Sequence, residues 1–191
     1  MASITINNET LRNTFYYVIT IQNALDKEFD KVQGNKSHLD KLVPEFLVGI
    51  YSQKLDKALG FKDNITQTAY NSAIILLVAT FEKVVFAKYR TACGNFRKVL
   101  QDHTAKTIDY YKSREQFINS SIDKLAVIIE LISGHLDNAL LIELNNIKDH
   151  RNFLAHGQRD RTAPTVELPI NVVAKTLDDV ITEIEEKKII S

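Results

Sequence analysis

Read for where its apolar residues recur, the chain spells helices almost from end to end. A first helix is expected over about Glu9 to Val32, with Asn7 or Asn8 as its N-cap and Leu11, Phe15, Val18, Ile19 and Leu25 on one side. "QGNKSH" ends it, and a shorter helix starts near Pro44, a favourable first-turn residue, and stops before Gly60. A long helix then follows Asp63, with Tyr70, Ala73, Ile74, Leu77, Phe81, Val84 and Val85 at the three–four spacing of a bundle core, until "ACGNF" loosens it. "FRKVLQDHTAKTIDYYKSREQF" is polar and less periodic, a helix and a loop. Another helix begins near Ser120 or Ser121 and carries Leu125, Ile128, Ile129 and Ile132 up to Gly134. A helix from about Leu136 to Ala155 stops at Gly157. After the linker "QRDRTAPTVEL", Pro169 opens a last helix with Val172, Val173, Leu177, Val180, Ile181 and Ile184 inward. The pattern predicts an all-α, up-and-down four-helix bundle over residues 63–191, with an N-terminal helical extension, residues 1–62, packed on it.

Composition narrows the classes of function. The 191 residues balance 24 Lys and Arg against 24 Asp and Glu, so no global basic field advertises nucleic acid, and any such contact needs a local patch. Cys93 is the only cysteine, which removes any intrachain disulfide; its neighbours Ala92 and Gly94 supply no base to make it a nucleophile. "MASITINNETLRN" lacks the basic and apolar regions of a signal peptide, and the longest apolar run, Ala73 to Ala79, is too short to span a bilayer. A cytoplasmic protein without a membrane partner is expected.

One stretch, "KDHRNFLAHGQRDR", breaks the pattern. At 100° per residue, Leu140, Leu144, Ile147 and Leu154 fall in a narrow arc, and Arg151 falls inside it. A cation left unpaired in a core costs several kcal/mol, so Arg151 is paired, exposed at a helix end, or needed. Asn152 and His156 stand four apart on an adjoining face, and the three side chains can converge. The structural alternative is a cation and a histidine complementing the helix dipole, with Arg151 paired to Glu82 or Glu130.

"RNFLAHG" resembles the signature of the HEPN superfamily: an arginine, a polar residue, a short gap and a histidine at a helix end. "AYNSAIILLVATFEKVVFAKYR" is similar to that family's long central helix, including an acidic residue at Glu82. The resemblance runs from about Asp63 to Glu186. It implies a bundle that dimerises so that two copies of the motif face each other, and in active members a metal-independent endoribonuclease, some of them toxins or phage-defence components. Carried over, Arg151 holds the scissile phosphate, His156 is the general base or acid, and Asn152 orients them or the RNA. Glu82 would support the site, and Arg159 and Arg161 would supply the local positive patch. The chemistry suits these residues, because histidine titrates near neutral pH and a guanidinium grips phosphate with a fork of donors. Members paired with a nucleotidyltransferase antitoxin carry a tyrosine two residues after the histidine, where this chain has Gln158. Other relatives have lost catalysis and serve as modules that bind nucleotide, RNA or a protein partner.

Other chemistry is poorly represented. His38, His103, His135, His150 and His156 form no metal-ligand spacing, and there is no phosphate loop or nucleophile elbow, so neither a metal nor a cofactor is expected. Lys106, Tyr110, Tyr111, Lys112 and Arg114 mix charges and rings as a base-stacking surface does, although a solvated connecting loop is the simpler reading of them.

Overall fold

The computed structural model of the protein describes residues 4–34, 55–99, 124–155 and 168–190. Among these there are five helices and no strand. They are α1 (Glu9–Gly34), α2 (Leu55–Val99), α3 (Lys124–Ile132), α4 (Asn138–Ala155) and α5 (Ile170–Glu186). The chain divides into two compact units, Met1–Thr14 with Ile74–Ser191, and Phe15–Ala73. Both α1 and α2 run through this division.

Among the described residues, the first unit holds most of the buried apolar ones. Its buried residues repeat at helical spacing: Ile74, Leu77, Val78, Phe81 and Val85 of α2, Leu125, Ile128 and Ile132 of α3, Leu144 and Ile147 of α4, and Val173, Leu177, Val180, Ile181 and Ile184 of α5. In the second unit Phe15, Val18 and Ala73 are buried, and Tyr16 and Tyr17 are exposed.

Helix α2 is longer than the sequence pattern suggested. It runs unbroken for 45 residues, through Gly60 and Asp63, so Asp63 caps nothing and the expected division at residues 62/63 falls inside a helix. The last residues of the helix expected from Pro44 belong to α2, and its earlier part lies outside the described residues. A helix-interior glycine costs only about 1 kcal/mol relative to alanine, which a long helix with a packed face absorbs. Within α2, Asp63–Ala92 is long and apolar enough to cross a membrane by length and composition, with a window hydropathy of 1.5. Of that window 44% is buried, and Ile74, Leu77, Val78, Phe81 and Val85 of the span lie in the core of the first unit.

Caps and side-chain bonds fix the ends. Asn8 caps α1, its Oδ1 accepting the Leu11 N–H at 3.1 Å. The backbone N–H groups of Asn7 and Asn8 donate to the two oxygens of Asp178, both at 2.8 Å, and that carboxylate is fully buried. A carboxylate placed at the start of α1 also meets the positive end of the helix dipole. Asp137 opens α4 by accepting the Ala139 N–H at 2.8 Å. Glu183 accepts the Asp137 N–H at 3.3 Å, and Lys187 donates to the His135 carbonyl at 3.0 Å. The end of α5 therefore lies beside the start of α4, and the Thr176 hydroxyl donates to Glu143 at 2.8 Å further along the antiparallel pair. Val172, expected to point inward, is 41% exposed; it stands 100° from Val173 and off the α5 core arc.

Candidate functional site

Helix α4 carries its core on Leu144 and Ile147, and the next position in that arc is Arg151. The structure resolves the conflict with side-chain partners. Arg151 Nη1 donates to Asn152 Oδ1 at 2.9 Å, and Nη2 to Glu82 Oε1 at 3.4 Å. Glu82 sits on α2 directly after Phe81, which is fully buried, so the α2 core stripe sets the carboxylate against α4. The Glu82 side chain is 10% exposed and that of Arg151 20%, which leaves the guanidinium half-buried rather than sealed. Asn152 is buried. Glu130, the other acid that could have served, is exposed.

Three of the six residues expected at the site are thus brought together: Arg151, Asn152 and Glu82. The other three, His156, Arg159 and Arg161, lie outside the described residues, as do Gly157 and the aromatic and basic positions between Lys106 and Arg114.

The arrangement has a definite chemical capacity. A guanidinium is a fork of N–H donors that is always charged, and here it is fixed in orientation by an amide oxygen and a carboxylate before any ligand arrives. Partial burial strengthens its field on an anion relative to the same group in water. The Arg151–Glu82 separation of 3.4 Å is longer than the about 2.7–2.9 Å of a close charge-assisted bond.

Two features of α4 escaped the sequence reading. His150 is buried although it precedes Arg151 and is not part of the apolar arc. Asn145 and Lys148 are half-buried and linked, Lys148 Nζ donating to Asn145 Oδ1 at 3.1 Å. Their signal was the spacing four, three, four through Leu141, Asn145, Lys148 and Asn152, which looks like an ordinary solvated face until the burial is known.

No family model, no curated protein and no solved structure matches this chain.

Proposed function

We propose that this protein is a metal-independent endoribonuclease of HEPN type, working in the cytoplasm at a site completed by two copies of the chain. The observation that supports the reading most is Arg151 itself: a half-buried guanidinium at the end of a core helix, oriented by Asn152 and Glu82, five residues before His156. In this reading His156 takes the proton of a ribose 2′-hydroxyl and the 2′-oxygen attacks the adjacent phosphorus. Arg151 neutralises the charge that grows on the phosphoryl oxygens, and the 5′-oxygen leaves and takes up a proton. The RNA supplies its own nucleophile, and the guanidinium takes the electrostatic role a cation fills elsewhere. Arg159 and Arg161 hold the flanking strand, and an antitoxin or another protein partner regulates the site. Helix α4 lines the face between copies, where Ile142 is 55% exposed.

The experiment is cleavage of a mixed single-stranded RNA. Cutting should persist in EDTA, leave a 2′,3′-cyclic phosphate, spare a substrate with one 2′-deoxy at the cut, and vanish in Arg151→Ala and His156→Ala. Loss on chelation removes the mechanism.

One observation favours a second reading, a catalytically silent helical module that binds nucleotide, RNA or a protein. Arg151 already has Asn152 and Glu82 as partners, so it satisfies the core without any substrate. An intact dimer that cuts no RNA selects this reading.

A further inference from the structure

Along α4, Leu141, Asn145, Lys148 and Asn152 fall within an arc of about 60° at 100° per residue. Positions so spaced on a bundle helix are ordinarily apolar when they lose contact with water. Here Leu141, Asn145 and Lys148 are half-buried and Asn152 is buried, yet three of the four are polar. They form a ladder: Asn145 Nδ2 donates to the Leu141 carbonyl at 2.9 Å, and Lys148 Nζ donates to Asn145 Oδ1 at 3.1 Å. One turn on, Arg151 Nη1 donates to Asn152 Oδ1.

The ladder repeats one unit twice. Each cation rests on an asparagine oxygen at about the same distance, 3.1 Å for Lys148 and 2.9 Å for Arg151. Each has a carboxylate at longer range, Asp149 at 3.6 Å from Lys148 and Glu82 at 3.4 Å from Arg151. The Asp149 side chain is 69% exposed, so solvent screens its hold on the ammonium, whereas Lys148 itself is only 25% exposed. A neutral amide that orients a cation without cancelling its charge leaves that charge available to an anion. Packing alone asks for neither: leucine at both positions would serve a half-buried stripe.

We propose that Lys148, oriented by Asn145, is a second phosphate-holding residue, which takes the RNA phosphate next to the one gripped by Arg151 and so sets the strand running along α4 toward its N-terminus. This rests on the nuclease reading above and adds to it a binding track and a direction. The two cations are three residues apart, one helical turn, and side chains at that spacing share a face. Adjacent cations on one face are how a protein follows a single strand's backbone without reading its bases. Lys148 is thus a positioning residue, and its charge acts on binding of the strand rather than on bond breaking.

The test uses the full-length protein and a set of short single-stranded RNAs that share one cut site and grow by one nucleotide at a time on either side of it. In the wild type, one added nucleotide on one side of the cut should lower KM, and the same addition on the other side should not. Lys148→Gln should raise KM by about tenfold, as expected for loss of one charged contact. It should leave kcat within about twofold, abolish the gain from the added nucleotide, and make log KM less steep in log salt by about 0.7, one phosphate's share on a single strand. Lys148→Arg should restore all three. Lys148→Met, which keeps the stem, repeats the measurement if the glutamine variant melts early. Wild-type cleavage with KM, length gain and salt slope unchanged in Lys148→Gln and Lys148→Met overturns the track and leaves the nuclease reading standing. A fall in kcat alone assigns Lys148 to the chemistry and overturns the track too, as does a change of mass by light scattering with KM unchanged, which makes the stripe a protein contact. A wild type that neither binds nor cuts any RNA of the set overturns both readings together.

Discussion

Among the described residues, the first unit buries two acids, Asp178 on α5 and Glu82 on α2, and treats them differently. Asp178 is 0% exposed and accepts two backbone N–H groups at 2.8 Å, one to each oxygen. Glu82 keeps a tenth of its side chain exposed and meets another side chain, Arg151, at 3.4 Å, with that partner a fifth exposed. Short bonds to backbone in a sealed place join α5 to the start of α1. A longer bond between two charged side chains at a helix end can be exchanged for a ligand. The difference is one of geometry: Asp178 is closed on backbone donors, whereas the Glu82–Arg151 pair joins two side chains and is partly wet.

The largest effect that would sharpen this contrast is on cleavage. Arg151→Ala should lower kcat by about 10²–10³, the usual cost of removing one donor aimed at developing charge. The wild-type rate should rise with pH through the ordinary histidine range, because His156 acts as a base only when deprotonated. Initial rates on a fixed RNA across pH measure both. A rate that ignores pH between 5 and 8 removes His156 as the base.

Next in size are two changes of stability, measured by urea unfolding. Leu144→Ala, in the fully buried arc of α4, should cost about 2–5 kcal/mol as a core truncation. Asp178→Ala orphans the Asn7 and Asn8 amides at about 1–3 kcal/mol each if both stay buried, less whatever the freed end of α1 recovers by fraying into water. Asp178→Asn should recover only part, since its NH₂ turns a donor toward one of two donors. If Asp178→Ala unfolds no earlier than the wild type, the sealed acid is not what holds α1, and the contrast collapses on that side.

How much of this was legible follows from what each residue's partners are. Helical stripes carry their own signal, so the cores of α1 to α5 could be read from Leu11 to Ile184. Arg151 could be read because it stands inside an apolar arc, whereas Glu82 could be read only as one of two candidate partners, with Glu130, or through the resemblance. The partner of Asp178 could not: two backbone amides some 170 positions away have no side-chain signature. Nor could the continuity of α2 through Gly60 and Gly94, where a glycine suggests an end that neighbouring turns override. At Gly94 an added Cβ would meet nothing within 4 Å, so no close approach requires that glycine. Lys148 was missed because polar residues at helical spacing mean a wet surface unless burial says otherwise. The half of the site beyond Ala155 rests on the motif alone.

The smallest effect is the most discriminating, because it separates the two readings of Arg151 through stability alone. Consider the cycle of Glu82→Gln, Arg151→Ala and the double variant. If the pair is a structural salt bridge, removing one partner strands a charge in the core, and single changes should cost about 3–5 kcal/mol with strong coupling between them. If the pair is held loosely for a ligand, a separation of 3.4 Å and one-fifth exposure leave solvent to take over much of the lost interaction. Arg151→Ala should then cost about 1 kcal/mol, with a coupling to Glu82→Gln of about 0.5 kcal/mol, near the lower limit for residues in contact. Glutamine keeps the Oε1 acceptor and loses only the charge, so the coupling reports the electrostatic part and not the hydrogen bond. A coupling of 3 kcal/mol or more makes Arg151 a core residue like Asp178, and the difference between the two acids, on which the nuclease reading leans, disappears.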